Sequence, residues 1–405
     1  MQPANVSSPA VWKTVFLCSL VAVFEGLDIQ SMGVAAPGLA PAFRLTPEQM
    51  GQVMSASTVG MMLGAAAGGW LSDRIGRSRV IVLSMVVLAA FSLATVVAPG
   101  YSSLRIIRVL AGFGLGGASP NLIAIIAECV PSRNRTTSLA WMYIGFPVGG
   151  AAAGFVASLT AAGDWRPIFY AGGLGPLLLA PVLLVGLPES TRQDAQPLET
   201  PREKLAPGES SPLPPAAGVT LRLWASYFFT LLVVYLLLNW LPSLVVAAGY
   251  SHRQAAHSAI ILNAGAILGS LALGRLTDRV MPRNSLVIAY LGMAASLLVL
   301  ALGHGESLFA GAFLAGFFVI GGQLILYAMA PALYPANVRG AGVGAAVAAG
   351  RLGSISGPVL AGLWLGHGFG PNTVPLLAVP GLLVAFAAAI SVARRPASEL
   401  VGSYR

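Results

Sequence analysis

The sequence predicts an all-α polytopic membrane protein, with twelve transmembrane helices arranged as two pseudo-symmetric six-helix bundles. The first observation is composition: 56% of the 405 residues are hydrophobic and only 9% are charged, whereas soluble domains carry about 25% charged residues. The second is a series of long apolar segments, and the third is a set of loop sequences that recurs in the two halves. A soluble fold of this composition would expose large apolar patches, which a bilayer accommodates.

The chain contains twelve segments of the length that a membrane-spanning helix needs, which is about 20 mostly apolar residues. They lie near residues 12–36, 49–71, 80–98, 102–127, 137–160, 166–187, 221–247, 255–275, 284–303, 306–331, 340–365 and 373–393. The first segment is longer than the apolar part of a signal peptide and contains two acidic residues, so we expect it to be retained as a helix.

A polar stretch at residues 191–220 separates helices 6 and 7. It is rich in Pro, Glu, Ser and Gly and has no apolar period, which is typical of a flexible loop. The predicted organisation is therefore an N-terminal six-helix bundle at residues 1–190, a cytoplasmic linker at 191–220 and a C-terminal six-helix bundle at 221–405.

The distribution of positive charge predicts the orientation. With a cytoplasmic N-terminus, seventeen of the 23 lysines and arginines fall in cytoplasmic segments and four in external ones, which is a strong positive-inside bias. We therefore expect both termini in the cytoplasm and a location in a bacterial inner membrane. This bias also explains the net charge of +9, and no nucleic-acid-binding motif accompanies it.

Loop motifs repeat at equivalent places in the two halves, which indicates duplicated halves like those of many secondary transporters. The segment 69–79 after helix 2 (GWLSDRIGRSR) resembles the loop motif of the major facilitator superfamily, and 274–279 (GRLTDR) resembles its second copy. The segments 108–116 in helix 4 and 188–190 (PES) after helix 6 match further motifs of this superfamily. The resemblance covers essentially the whole chain and implies the major facilitator fold.

A narrower resemblance lies in helix 1, where Glu25-Gly-Leu-Asp28 is similar to the acidic signature of the aromatic acid:proton symporter family, with Glu in place of the first Asp. The form of the signature with Glu resembles that of the 3-(3-hydroxyphenyl)propionate transporters in this family. Four further segments share this resemblance, at residues 239–242, 321–323, 327–331 and 350–353. The resemblance implies proton-coupled uptake of an aromatic carboxylate.

Glu25 and Asp28 are three residues apart and therefore share one face of helix 1. Carboxylates within a membrane normally face a cavity and have partners. Burial and a second nearby carboxylate both disfavour the ionised form, so this pair is a candidate for proton coupling. The alternative is a solvated or structurally paired position near the outer rim.

Arg108 in helix 4 and Arg351 in helix 11 are the two cations that the predicted topology places within the membrane rather than at its surfaces. Arginine keeps its charge when buried and presents a planar fork that suits a carboxylate, so both are candidates for binding an anionic substrate. The alternative is a structural ion pair, such as Arg108 with Glu25 or Asp28. The two interpretations are compatible, because protonation of the acid would release the arginine.

An aromatic substrate also needs apolar walls with a few polar anchors. Gln323 and Tyr327 are four residues apart and share one face of helix 10. The alternative for each candidate anchor is ordinary helix packing or an interhelical hydrogen bond. The candidates are Asn121, Tyr143, Tyr235, Asn239, Gln323 and Tyr327.

Charged residues in the predicted cytoplasmic loops are candidates for gating, because acids and bases there can join in one conformation and separate in another. The alternative is that they only anchor the helix ends. The candidates are Asp73, Arg77 and Asp278, with Glu128 and Arg135 in the same network.

Enzymatic function is not indicated, because the sequence has no phosphate-binding loop ending in Lys-Ser/Thr and no nucleophile–base constellation. We expect no metal site and no cofactor, with the proton gradient as the driving force. The expected partners are protons, a small aromatic carboxylate and the lipid bilayer, and we expect a monomer. The alternative function is proton-driven export of drugs or aromatic compounds, since residues 145–150 (GFPVGG) resemble an antiporter motif.

Overall fold

The computed structural model describes residues 9–188, 217–335 and 338–393, and the regular structure in these ranges is entirely helical. Ten helices are continuous: α1 (Pro9–Phe43), α2 (Pro47–Ile75), α3 (Arg77–Val96), α4 (Tyr101–Cys129), α5 (Ser132–Leu159), α6 (Arg166–Gly186), α7 (Ala217–Ala247), α8 (His252–Arg279), α9 (Pro282–Leu302) and α11 (Arg339–Gly366). The predicted order of elements is confirmed, and several helices extend beyond their predicted apolar segments.

The remaining two helices are composite. In α10, the α-helical segments Glu306–Ala315 and Gly321–Leu333 flank a π-helical turn at Gly316–Ile320. In α12, the short segment Val374–Leu377 precedes Val379–Ala393. A π-helical turn inserts an extra residue into a helix and is frequent at functional sites, so the register of side chains changes along α10.

Helix boundaries follow from local capping chemistry. The Thr46 side chain accepts a hydrogen bond from the backbone of Gln49, whose side chain bonds back to Thr46 N, and Pro47 occupies the first turn of α2. This capping box satisfies backbone groups that the helix leaves unpaired. Gly76 has a φ of 90° between α2 and α3, a conformation that glycine adopts at little cost, so the chain turns there within one residue.

The helices present apolar faces outward, as expected for contact with lipid. Eleven of the described helical spans are long and apolar enough to cross a membrane. The helix that is not among them, α2, has 29 residues but includes Glu48, Asp73 and Arg74. On α6, Leu178 and Val185 are 74% and 86% exposed, an unfavourable arrangement in water. The protein is therefore a multi-pass membrane protein, whose described residues contain eleven candidate spans and the more polar helix α2.

The described helices form two compact units. The first contains α1–α6 together with residues 238–263 and 358–368, and the second contains the rest of α7, α8 and α11 with α9, α10 and α12. This division runs through the helices α7, α8 and α11, whereas the predicted domain boundary follows the linker at 191–220. Most of that linker lies outside the described residues, and the predicted domain boundaries stay a prediction.

The same helix pairs pack through glycines in both halves. In each pair, a Cβ atom added to the glycine would collide with a backbone carbonyl of the neighbouring helix, so the two backbones are in direct contact. Small residues permit such close approach between membrane helices. The pairs are α2–α4 through Gly64 and Phe113, α1–α5 through Gly149 and Val23, α8–α10 through Gly269 and Phe317, and α7–α11 through Gly353 and Phe228.

Candidate functional site

A buried ion pair joins α1 to α4. Asp28 and Arg108 are 1% and 0% exposed. Arg108 Nη2 donates to Asp28 Oδ2 at 2.8 Å, and Nη1 donates to Oδ1 at 3.0 Å. This is the bidentate geometry in which arginine binds a carboxylate most strongly. The predicted structural pairing of Arg108 with an acid of helix 1 is therefore observed, and Asp28 is the acid.

Two serines complete the surroundings of this pair. Arg108 Nε donates to Ser57 Oγ of α2 at 3.0 Å, and Ser92 Oγ of α3 donates to Asp28 Oδ1 at 3.1 Å. The guanidinium also lies 5.7 Å from the ring centroid of Phe169 on α6. Side chains from five helices thus converge on one charge pair. Neither serine was among the candidates, because a serine in an apolar segment is an ordinary packing residue.

Glu25 has a different environment from Asp28. Ser119 Oγ of α4 donates to Glu25 Oε1 at 2.9 Å, and the glutamate is partly exposed whereas Asp28 is not. Both carboxylates face α4, as their spacing on one helix face predicted.

A second cluster lies in the second unit and combines an arginine with tyrosines. Arg351 Nη1 of α11 donates to the Tyr235 hydroxyl of α7 at 3.0 Å. On α10, Gln323 Nε2 donates to the Tyr327 hydroxyl at 3.0 Å. Four candidates for substrate binding therefore form two hydrogen-bonded pairs within this unit.

Tyr227 belongs to this cluster and was not predicted. Its ring meets that of Tyr327 edge-on, with centroids 5.4 Å apart and planes at 82°, and its hydroxyl donates to the Leu326 carbonyl at 2.9 Å. A tyrosine with a buried hydroxyl needs a polar partner, but the sequence does not show which tyrosine of a long apolar helix is buried.

The remaining substrate-binding candidates lie elsewhere. Asn121 Nδ2 donates to the carbonyls of Gly117 and Gly68, at 2.8 and 3.4 Å, which is the helix-packing role considered as its alternative. Asn239 is 2% exposed on α7 within the first unit, and Tyr143 on α5 is 49% exposed. A substrate role for these three residues stays a prediction.

The gating candidates lie at the helix ends as expected, and two of them pair. Arg77 at the start of α3 forms an ion pair with Glu128 at the end of α4. Arg135 was expected in the same network, and its Nε lies buried without a hydrogen-bond partner among the described residues. Asp73 and Asp278 are exposed at the ends of α2 and α8. The gating role itself stays a prediction.

A buried amide pair in the first unit was also missed. Gln30 Nε2 donates to Asn263 Oδ1 at 3.0 Å, and Asn263 Nδ2 donates to Gln30 Oε1 at 2.7 Å. Both side chains are at most 1% exposed, so α1 and the first part of α8 are joined by two hydrogen bonds. The available signal was the presence of an amide in each apolar segment, since such groups in a membrane seek partners.

Comparison with known proteins identifies the family. A profile described as Major Facilitator Superfamily matches residues 18–307 and 258–404. The chain is 44% identical to the 3-(3-hydroxy-phenyl)propionate transporter of Escherichia coli over 94% of its own length and 93% of the relative's. It is 35% identical to the gallate transporter of Pseudomonas putida, with 94% and 91% coverage.

Solved structures agree on the fold. The inward open conformation of the xylose transporter XylE from E. coli matches with a TM-score of 0.75 at 16% identity, covering 93% of this chain and 95% of that one. A crystal structure of a D-xylose-proton symporter matches with a TM-score of 0.74 at 18% identity, with 94% and 97% coverage. The family profile and the relatives at 44% and 35% identity, with which this fold agrees, show that the chain belongs to the Major Facilitator Superfamily.

Proposed function

We propose that this protein is a secondary active transporter that imports an aromatic carboxylate, such as 3-(3-hydroxyphenyl)propionate, together with protons. The observation that carries the proposal is the buried Asp28–Arg108 pair in a chain whose relatives are named as transporters of aromatic acids. A bidentate ion pair without exposure to water is stable only while both partners are charged, so protonation of Asp28 releases Arg108.

The clustered residues supply the chemistry that an aromatic acid requires. Arg351 offers a permanent positive charge for the carboxylate. Tyr327 offers aromatic surface, and Gln323 offers an amide for a ring hydroxyl. The hydroxyl of Tyr235 holds the guanidinium of Arg351 at 3.0 Å. In this scheme the second unit provides recognition of the anion, while the carboxylates of α1 carry the proton.

The energy source in this scheme is the proton gradient across a bacterial inner membrane, and no cofactor is needed. Both termini lie in the cytoplasm, and a single chain is the working unit. The positive-inside distribution of arginine and lysine supports this orientation. The resemblance of residues 145–150 to an antiporter motif has a packing explanation, because Gly149 contacts the α1 backbone at Val23.

The test is uptake of labelled 3-(3-hydroxyphenyl)propionate, 4-hydroxybenzoate and gallate by proteoliposomes with an acidic exterior. We expect accumulation of at least one acid, collapse of accumulation with an uncoupler, and none in liposomes without protein. Failure to accumulate any acid, combined with resistance of expressing cells to toxic aromatics, would favour export instead.

Arg351→Gln tests the anion site. Because the guanidinium is the proposed counter-charge, we expect the KM for the acid to rise about tenfold or more, as charge-assisted hydrogen bonds contribute about 1.5–3 kcal/mol. Arg283→Gln is the matched control, since Arg283 is exposed at the start of α9 in the same unit, and its KM should stay within about twofold. Equal effects of the two variants would exclude a specific role for Arg351.

A further inference from the structure

The segment of α10 that carries Gln323 and Tyr327 is bounded by two irregularities. The π-helical turn Gly316–Ile320 precedes it, and Pro331 follows Tyr327 by four residues. Proline has no N–H group, so the Tyr327 carbonyl lacks the donor that an uninterrupted α-helix would supply, and the proline ring crowds that carbonyl. This segment therefore needs support from other helices to hold one orientation.

Tyr227 of α7 supplies support at this point. Its hydroxyl donates to the carbonyl of Leu326, the residue before Tyr327, at 2.9 Å. Its ring lies edge-on to the Tyr327 ring at 5.4 Å. The side chain is 1% exposed, so both contacts lie away from bulk water.

The same ring also touches the helix that carries Arg351. A Cβ added to Gly350 would lie 3.3 Å from Tyr227 Cδ1, so the tyrosine ring packs on the α11 backbone one residue before the arginine. Tyr227 thus contacts Leu326 and Tyr327 on α10 and lies near Gly350 on α11. One side chain therefore meets both the helix with the aromatic part and the helix with the cationic part of this cluster.

We propose that Tyr227 is a positioning residue for substrate recognition, which holds Tyr327 and Arg351 at the separation that an aromatic ring and its carboxylate require. This inference rests on the proposed function of the cluster and extends it to a residue outside the anion-binding set. Tyr227 acts through its two neighbours, so its hydroxyl affects affinity and selectivity rather than the turnover of bound substrate.

The test compares Tyr227→Phe with Tyr290→Phe. Tyr290 is a matched control, because it is also buried in the second unit and its hydroxyl bonds to Thr230 Oγ1 at 2.8 Å and not to α10 or α11. Each variant loses one buried hydroxyl and keeps the ring. Thermal denaturation in detergent should show similar losses of stability for both.

The readouts are KM and maximal uptake rate for 3-(3-hydroxyphenyl)propionate and for 3-phenylpropionate in proteoliposomes. For Tyr227→Phe we expect the KM to rise about fivefold, in line with the loss of one hydrogen bond, with a maximal rate within twofold and a changed preference between the two acids. For Tyr290→Phe we expect the KM and the preference of the unaltered protein.

Two results would overturn the inference in distinguishable ways. If the unaltered protein transports the acids and both variants change KM and preference equally, Tyr227 has only a structural role. If the unaltered protein neither binds nor transports these two acids, 4-hydroxybenzoate or gallate, the proposed function fails. The inference about Tyr227 then fails with it.

Discussion

The Asp28–Arg108 pair combines two properties that matter at the scale of single residues. Its charges are removed from water, and its hydrogen bonds to Ser57 and Ser92 leave few polar atoms without partners. Removing one member of a buried ion pair is much more costly than removing both, because the remaining charge stays buried without compensation. This asymmetry allows a stability effect to be separated from a transport effect.

For Asp28→Asn we expect loss of proton-driven uptake and a loss of stability of about 3–5 kcal/mol, because Arg108 would remain charged and buried. The double variant Asp28→Asn with Arg108→Gln removes both charges and should recover most of the stability without recovering uptake. Thermal denaturation and uptake under a pH gradient measure the two effects. Normal uptake by Asp28→Asn with unchanged proton dependence would refute its role in coupling.

At the scale of helices, glycine contacts decide how closely the backbones of each half pack. The predicted motif of helix 4 contains Gly112 and Gly116, and each of these glycines contacts a backbone carbonyl of α2. The glycines that the sequence showed as a family motif therefore act as contact points between α2 and α4. Because Ser57 and Arg108 lie on these two helices, the same packing positions the buried ion pair.

A comparison within α2 tests this packing. A Cβ at Gly64 would collide with the Phe113 carbonyl, whereas one at Gly69 meets no atom within 4 Å. We expect Gly64→Ala to lower stability by about 1–3 kcal/mol through overpacking. Gly69→Ala should be neutral or slightly stabilising, since alanine favours helix. Thermal denaturation of the two variants in one detergent measures the difference, and equal melting temperatures would contradict it.

The amide pair between α1 and α8 provides a second test at this scale. Asn263→Ala would leave the Gln30 amide buried without its partner, so we expect a loss of about 1–3 kcal/mol in stability. Ser258→Ala is the control on α8, since Ser258 is fully buried but bonds only within its own helix, to Ala255. A loss no larger than that of the control would show that the pair contributes little.

At the scale of the whole molecule, transport requires the two ends of the helix bundle to open alternately. The Arg77–Glu128 ion pair joins the ends of α3 and α4, next to the loop motif that recurs in the second half. An ion pair at a partly exposed site stabilises one arrangement only modestly, so the predicted gating role would require little energy to break the contact.

Arg77→Ala should lower the rate of uptake several-fold and leave the equilibrium affinity for the acid within about twofold, because neither Arg77 nor Glu128 belongs to the proposed anion site. The charge exchange Arg77→Glu with Glu128→Arg should restore part of the rate. Initial uptake rates and equilibrium binding in detergent provide the comparison. Unchanged rates in Arg77→Ala would mean that the pair only anchors the helix ends.

The sequence by itself determined the number and order of the helices, the duplicated loops and the family, because these depend on composition and local pattern over long segments. It also placed Glu25 and Asp28 on one helix face, since that follows from helical spacing alone. The tertiary structure decided that Arg108 pairs with Asp28 and that Arg351 lies beside Tyr235.

Tertiary structure also revealed Ser57, Ser92, Tyr227 and the Gln30–Asn263 pair. These partners are separated by at least 50 residues along the chain. Their contacts depend on how the helices rotate and pack against one another, and the apolar pattern of a membrane helix specifies its length far better than its rotation.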